Sequence, residues 1–226
     1  MAQIDKNTVS SQNQLGSNNI IKFEHEDGKG KRVLFVGNSI TRHSPKPEIG
    51  WVNDWGMAAS SIEKDYVHIV ERKVLEKCPD ATFCICQGSL WERNYFEGEA
   101  HLSRLQEARD FDADIIVMRL IENCRPIDTF DIDAFKNEYP KLVNYLNKNN
   151  AKVIITSSFW KHPGDVALKE YAEKEGMDFI YLGELGEDPA MRADGLFKSS
   201  GVSAHPGDRG MEEIAKLIFE KMDKYI

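Results

Sequence analysis

The residues best suited to chemistry in this chain are a serine in a glycine-asparagine turn and a histidine near the carboxyl end of the sequence. Ser39 stands directly after Gly37 and Asn38, behind the apolar run 33–36. A serine hydroxyl attacks an acyl carbon well only when a base accepts its proton, and histidine suits that task near neutral pH. Together the two side chains would transfer an acyl group through a covalent serine intermediate.

Six histidines are available as the base. His205 is the preferred candidate, because Pro206 and Gly207 fix the loop that holds it directly before the last predicted helix. His162 follows a predicted strand and is expected to line a substrate pocket. The remaining histidines are interpreted as surface or structurally satisfied residues: His25, His43, His68 and His101.

Strand and helix patterns alternate along the chain and place Ser39 at one rim of a sheet. We predict an edge strand at 20–25, further strands at 33–36, 81–86, 114–120, 152–156 and 178–182, and helices at 65–77, 133–147, 165–175 and 208–225. This alternation predicts a three-layer α/β/α domain whose parallel sheet has about five strands in the flavodoxin-like order 2-1-3-4-5. Ligands bind at the carboxyl ends of the strands in such sheets, and Ser39 falls there.

Length, charge and hydropathy narrow the class of protein. The 226 residues favour one domain over residues 19–226, preceded by a polar tail at 1–18 that we expect to be disordered. A net charge of −8 opposes binding to nucleic acid or to an anionic membrane surface. No apolar stretch approaches the roughly 20 residues that a membrane-spanning helix needs. The first residues lack the pattern of a secretory signal, so a cytoplasmic location is the default expectation unless a leader has been removed.

Cysteine and histidine spacing gives no sign of a metal centre. The four cysteines include no pair at CxxC spacing, and no two cysteines or histidines fall at a recognised zinc-ligand spacing. No Gly-Lys-Ser/Thr sequence follows the first buried strand, which argues against a phosphate-binding loop. We therefore expect no metal and no cofactor, and a small-molecule substrate as the partner. The oligomeric state stays open.

Tryptophans follow the predicted strands on the same rim as Ser39. All four do so, namely Trp51, Trp55, Trp91 and Trp160. Aromatic faces stack against apolar faces of ligands, sugar rings included, and they keep water out of a site. For any single tryptophan, packing within its loop is the simpler explanation. As a group, the four predict an aromatic-walled pocket that would suit a carbohydrate.

Four short motifs resemble the signature blocks of the SGNH (GDSL-like) hydrolase family. Gly37-Asn38-Ser39-Ile40-Thr41 is similar to the first block, Gly56 to the second, Asn123 in Glu122-Asn123-Cys124 to the third, and His205 in His205-Pro206-Gly207-Asp208 to the last. The matches occur in the family's order and span residues 37–208. The resemblance implies an SGNH-type α/β/α fold in which Ser39 is the nucleophile and His205 is the base.

The resemblance also implies an oxyanion hole, the set of donors that holds the negative oxygen of the tetrahedral intermediate. Its donors would be the backbone N–H groups of Ser39 and Gly56 and the side-chain amide of Asn123. The chain departs from the family in the third block, which contains Asn123. Ile121 stands where the family usually has glycine, two residues before the asparagine. The change would alter how closely the backbone approaches a substrate.

A second departure concerns the group that orients the histidine. The family commonly carries an aspartate three residues before the histidine, and this chain has Val202 there. Either a backbone carbonyl orients His205, or a carboxylate from elsewhere does. Asp194 and Glu122 are the carboxylates to inspect.

The sequence therefore predicts a serine esterase that hydrolyses small acyl esters, with acetyl groups on carbohydrate as the preferred substrate. Two alternatives stay open: a lipase-like or thioesterase-like member of the same family, and a carbohydrate-binding domain that keeps the fold without turnover. The α/β-hydrolase elbow ranks lower, because G-x-S-x-G needs a glycine where this chain has Thr41.

Overall fold

The computed structural model describes residues 20–124 and 126–226, which form a six-stranded sheet with helices on both faces. The tail predicted at 1–18 lies outside the described residues. The strands are β1 (Ile21–Glu24), β2 (Arg32–Gly37), β3 (Thr82–Gln87), β4 (Ile115–Arg119), β5 (Lys152–Thr156) and β6 (Asp178–Ile180). All six lie where strands were predicted, within a few residues at their ends.

The sheet order is β1-β3-β2-β4-β5-β6. Strands β2 to β6 pair in parallel, whereas β1 pairs with β3 in the antiparallel direction. Numbered among themselves, the parallel strands follow the order 2-1-3-4-5, so the predicted topology is confirmed. The edge strand predicted at 20–25 adds the antiparallel sixth member.

The longer helices also lie where they were predicted, with their ends shifted by three residues or fewer. The helices are α1 (Tyr66–Lys77), α2 (Ser89–Arg93), α3 (Gly98–Leu102), α4 (Gln106–Asp110), α5 (Ile132–Leu146), α6 (Asp165–Glu175), α7 (Ser200–Ser203) and α8 (Asp208–Met222). The short helices α2, α3, α4 and α7 were not predicted, because a helical repeat becomes visible only over about 11 residues or more. Within the described part of the chain, no helix has the length and apolar character that crossing a membrane requires.

Strand β2 lies inside the sheet, between β3 and β4, and fixes the position of Ser39. Leu34 and Val36 face the layer formed by α2 to α6, while Val33 and Phe35 face the layer formed by α1 and α8. All four side chains are fully buried, and burying such a side chain stabilises a fold by about 1.5–3 kcal/mol. The turn after this strand, which carries Ser39, is therefore anchored by a rigid element between β3 and β4.

Candidate active site

A tight turn after β2 holds Ser39 at the carboxyl end of the sheet. The backbone N–H groups of Thr41 and Arg42 both donate to the carbonyl of Asn38, each at 3.0 Å. A Cβ atom on Gly37 would lie 1.8 Å from Thr41 Oγ1, so this position requires glycine. The Ser39 carbonyl accepts a hydrogen bond from Met57 N at 2.8 Å, which ties the turn to the following loop.

The structure brings Ser39 and His205 together, although 166 positions separate them in the chain. The distance from Ser39 Oγ to His205 Nε2 is 2.8 Å, which is a normal hydrogen-bond length. The loop before α8 holds the histidine on both sides: His205 N donates to Val202 O at 3.0 Å, and His205 O accepts from Ala193 N at 2.9 Å. This backbone pairing places the ring independently of the hydroxyl that it contacts.

A backbone carbonyl orients the His205 ring. Nδ1 lies 2.7 Å from the carbonyl oxygen of Gly201, four residues earlier in the short helix α7. A carbonyl oxygen only accepts, so Nδ1 carries the proton and Nε2 is left with a lone pair. The Ser39 hydroxyl therefore donates to Nε2, which is the direction that general-base catalysis requires.

Neither of the two carboxylates considered as orienting groups bonds a nitrogen of the His205 ring, because Nε2 bonds Ser39 and Nδ1 bonds Gly201. Asp194 accepts from Arg192 Nε at 2.9 Å and from Arg192 Nη2 at 2.6 Å at the protein surface. Glu122 is buried below the serine and bonds Arg119 and Asn38. This corrects the expectation for Asp194 and Glu122. The physical reason is that the last carbonyls of a helix lack partners within the helix, and α7 ends where the ring needs an acceptor.

Partial burial of the half-exposed His205 keeps its ring neutral. Removal of the ring from water lowers its pKa from 6.5 to about 4, while the hydrogen bond to Gly201 opposes that shift. A neutral imidazole is the form that accepts a proton. The geometry and the protonation state therefore favour the same role.

Of the two backbone donors expected in the oxyanion hole, one is already committed. Gly56 N donates to Asp65 Oδ2 at 3.0 Å, and Asp65 is a fully buried residue that caps α1. Gly56 therefore serves to hold its loop, and its assignment to the oxyanion hole was wrong. The N–H of Ser39 has no hydrogen-bond partner among residues 20–124 and 126–226, so it remains able to donate to a substrate oxygen.

A buried glutamate connects Asn123 to the serine turn. Glu92 Oε2 accepts from Asn123 Nδ2 at 2.7 Å, and Glu92 Oε1 accepts from Asn123 N at 3.1 Å. The same Oε1 accepts from Nδ2 of Asn38, the neighbour of Ser39, at 3.0 Å. An amide nitrogen carries two protons, so Asn123 keeps one for another acceptor. Sequence reasoning did not find this function of Glu92 and Asn38, because the two residues lie 54 positions apart.

The charges beneath the site form one paired cluster. Arg119, fully buried at the end of β4, bonds Glu122 through Nη2 and lies 3.3 Å from Asn38 Oδ1 through Nη1. Glu122 also accepts from Phe159 N at 3.0 Å and from Asn38 Nδ2 at 2.6 Å. Burial and the neighbouring charge of Glu122 raise the pKa of Glu92 to about 7. The partner that a charge inside an apolar strand requires is thus Glu122.

The tryptophans divide into two groups, which corrects the expected aromatic-walled pocket. Trp51 and Trp91 are buried in the core: Trp51 packs edge-on against Trp55, and Trp91 packs against Phe135. Trp160 is half-buried and presents an edge to the His205 ring, with ring centroids 5.3 Å apart. Trp55 is also half-buried, with its indole N–H on Ala59 O. Only Trp55 and Trp160 therefore remain as candidate contacts for a ligand.

His162 lines a surface groove, and backbone groups fix its ring. Gly164 N donates to Nδ1 at 3.1 Å, so Nε2 carries the proton and donates to Cys124 O at 3.1 Å. The ring therefore supports the loop that carries Asn123. The groove has a volume of about 820 Å³ and is lined by Lys161, His162, Pro163, Asp165, Val166, Lys169, Phe179 and Tyr181.

Solved structures with a similar fold are esterases and lipases by description. The chain is similar to the esterase EstA from Pseudoalteromonas sp., with 12% identity, a TM-score of 0.58, and coverage of 86% of this chain and 98% of that one. It is similar to a two-domain esterase (CEX) active on acetylated mannans, with 15% identity, a TM-score of 0.56, and coverage of 90% of this chain and 57% of that one. A GDSL-like lipase from Parabacteroides merdae gives 15% identity, a TM-score of 0.56, and coverage of 87% and 97%.

These likenesses establish the fold. The described chain has the three-layer α/β/α fold of the SGNH (GDSL-like) hydrolases, as the sequence motifs implied. No protein-family model and no curated protein matches the sequence.

Proposed function

We propose that the protein is a serine esterase that hydrolyses small acyl esters through a covalent acyl-Ser39 intermediate. The observation that carries the proposal is the chain of contacts from Ser39 Oγ to His205 Nε2, at 2.8 Å, and from His205 Nδ1 to Gly201 O, at 2.7 Å. Hydroxyl, imidazole and orienting acceptor are in line, as a serine nucleophile and its base must be. The fold neighbours described as esterases support the same class of reaction.

The reaction would proceed in two stages. Ser39 Oγ forms a bond to the acyl carbon while its proton passes to His205 Nε2, and the same proton then goes to the alcohol oxygen as the ester C–O bond breaks. A water molecule next gives its proton to Nε2 and attacks the acyl carbon. The acid is released and the proton returns to Ser39. Each stage leaves the histidine neutral, as it was at the start.

The negative oxygen formed in each stage needs donors that are already in place. The Ser39 N–H and the second proton of Asn123 Nδ2 are the groups that we assign to it. Glu92 holds the asparagine at both its backbone and its side chain, so the amide does not have to be reoriented during the reaction. With Gly56 committed to Asp65, this hole has fewer donors than the sequence predicted.

Acetyl groups on carbohydrate remain the preferred substrate. Trp160 lies directly beside His205, where an aromatic face could contact a sugar ring. One fold neighbour is described as active on acetylated mannans, and this likeness supports the choice of substrate to test. The substrate does not follow from the fold itself.

A panel of esters tests the substrate class. We expect kcat/KM for p-nitrophenyl acetate to exceed that for p-nitrophenyl octanoate by at least about 10-fold, because a small acyl site discriminates against added methylenes by roughly 1–3 kcal/mol. Acetate release from acetylated mannan and acetylated xylan oligosaccharides tests the carbohydrate. Faster turnover of octanoate would favour a lipase-like or thioesterase-like enzyme. Sugar binding without acetate release would favour a binding domain.

The pH profile of kcat/KM should show the low pKa of His205. Since the free imidazole has a pKa of about 4, the base becomes protonated, and activity is lost, only as pH falls through about 4. An ordinary histidine would give this loss near 6.5. Glu92, with a pKa raised to about 7, would add a partial step near neutral pH when its carboxylate takes up a proton.

The variant Glu92→Gln distinguishes the titration of Glu92 from that of His205. In its pH profile of kcat/KM, the step near neutral pH should disappear and the loss near pH 4 should remain. A single complete loss near pH 6.5 in both proteins would contradict the assignment of a half-buried, neutral His205.

A further inference from the structure

A second cluster of potential ligand atoms lies away from Ser39, between the edge strand β1 and helix α1. It consists of Glu24, at the end of β1, and of His68 and Glu71, three residues apart on α1. One nitrogen of the histidine and one oxygen of each carboxyl group all lie within 4.8 Å of one another. None of these residues takes part in the chemistry described above.

One member of the cluster is a buried carboxyl group with one oxygen that lacks a hydrogen-bond partner among the described residues. Glu71 is only 3% exposed, and its Oε1 has no hydrogen-bond partner among residues 20–124 and 126–226. This side chain points toward Glu24, also an acid. A buried carboxylate is stable only when a cation, a proton or a donor compensates its charge, so either a proton shared between Glu71 and Glu24 or a cation in its place must lie between the two acids.

The histidine is oriented as a metal ligand would be. His68 Nδ1 lies 2.7 Å from Oδ1 of the fully buried Asp65, so the Nδ1 proton is committed to that carboxylate. Nε2 then faces Glu24 Oε1 at 3.2 Å. In metal sites the ligating histidine almost always bonds a carboxylate or carbonyl through its other nitrogen. Asp65 supplies that support here.

We propose that Glu24, His68 and Glu71 bind a divalent transition-metal cation, with Zn²⁺ and Mn²⁺ as the first probes. One imidazole and two carboxylates make a donor set suited to these ions, with water completing the coordination. Ligands at about 2.0–2.2 Å from a tetrahedral ion lie roughly 3.3–3.6 Å apart, and the distance of 3.2 Å between His68 Nε2 and Glu24 Oε1 is close to the lower end of that range. Binding displaces the proton on Nε2, and any proton shared by the two acids, into water.

Two charged residues next to this site, Lys22 and Asp65, affect how a cation would bind there. Lys22 Nζ lies 2.5 Å from Glu24 Oε1, so a bound cation must share or replace that contact. Asp65 adds a negative charge behind the histidine and also holds Gly56 N, next to the residue that bonds the Ser39 carbonyl. The metal would therefore stabilise the loop beside Ser39 without touching the reacting atoms. The sequence expectation of no metal rested on cysteine and histidine spacing and did not weigh carboxylates from two separate elements.

Calorimetric titration tests the site. Protein without an affinity tag, stripped with EDTA and dialysed, is titrated with ZnCl₂ and separately with MnCl₂, and its melting temperature is measured with and without each salt. We expect one ion per chain, and a rise in melting temperature that grows with metal concentration because the ion binds the folded state. Absence of saturable binding of either ion at one site per chain would overturn the proposal and leave a proton as the group that bridges the two acids.

Matched variants on one helix locate the ion. Glu71→Gln keeps the size of the side chain and removes its charge, and we expect it to weaken binding at least about 10-fold. Glu76→Gln makes the same change at an exposed position of α1 and should bind as the wild type does. Equal weakening in both variants, or in neither, would contradict the assignment. Circular dichroism checks that each variant is folded, and His68→Gln provides a second test if Glu71→Gln is not.

Discussion

Replacing Ser39 with alanine is expected to lower kcat/KM for p-nitrophenyl acetate by about 10⁴-fold or more. The variant removes the only atom that forms a bond to the acyl carbon in the proposed mechanism, while Asn123 and the Ser39 backbone N–H stay in place. Residual catalysis would come from those donors alone. Steady-state hydrolysis with purified protein measures the change.

A serine outside the site provides the matched control. The Ser60 hydroxyl donates to Asp208 Oδ2 at 2.7 Å in an exposed position. Ser60→Ala removes the same atom from a neighbouring loop and should leave kcat/KM unchanged. Because Ser39 is only half-buried, its alanine variant should also keep the thermal stability of the wild type. Loss of activity together with loss of the folded state would not support a nucleophilic role.

The second large effect is expected at Asn123. Asn123→Ala should lower kcat by about 100- to 1,000-fold, because one donor to the negative oxygen of the transition state is lost. That oxygen is uncharged in the bound ester and gains its negative charge on the way to the tetrahedral intermediate, so KM should change much less than kcat. Initial rates across a range of p-nitrophenyl acetate concentrations separate the two constants.

Asn94 allows a matched comparison in the same segment as Glu92. Its amide donates to Leu90 O at 2.8 Å and makes no contact with the serine turn. Asn94→Ala should therefore preserve kcat. If Asn123→Ala raised KM and left kcat intact, the amide would be a ground-state binding contact, and the oxyanion hole would need another donor.

Repeating patterns of residue type explain why the fold was predictable. Apolar runs such as 33–36 and the helical spacing of 208–222 depend on the local sequence, and both lie where they were predicted. Ser39 and His205 were identified because their types and turn contexts are specific. Their contact at 2.8 Å follows from the parallel sheet, which brings loops after different strands to one rim.

The orientation of individual groups was not predictable in the same way. Gly201 orients His205 through a main-chain oxygen, and residue types say nothing about where such an atom points. Gly56 was assigned to the oxyanion hole because of its likeness to a motif, but its N–H group donates to Asp65. Trp91 and Trp160 both follow strands, yet one side chain enters the core and the other contacts His205. The position of a residue in the sequence predicts the edge of the sheet at which it lies, whereas the packing around it decides where its side chain points.

Val202 illustrates how this chain accommodates a missing acid. The side chain is buried against Trp51 and Met57, which fixes the short helix α7 and so the carbonyl that serves His205. A neutral carbonyl stabilises a protonated imidazole less than a carboxylate does, and that agrees with the lowered pKa of His205. In the proposed mechanism, Ser39 and His205 therefore act as a pair, and a carbonyl in the short helix α7 takes the place of the third residue.

Covalent labelling with a fluorophosphonate tests the nucleophile most directly. The reagent forms an Oγ–P bond to an activated serine and releases fluoride, and intact-mass and peptide mass spectrometry locate the adduct. We expect one adduct per chain on the peptide that contains Ser39, absent in Ser39→Ala and formed much more slowly in His205→Ala. An adduct on another residue, or undiminished ester hydrolysis by Ser39→Ala without any label, would contradict the assignment of Ser39 as the nucleophile.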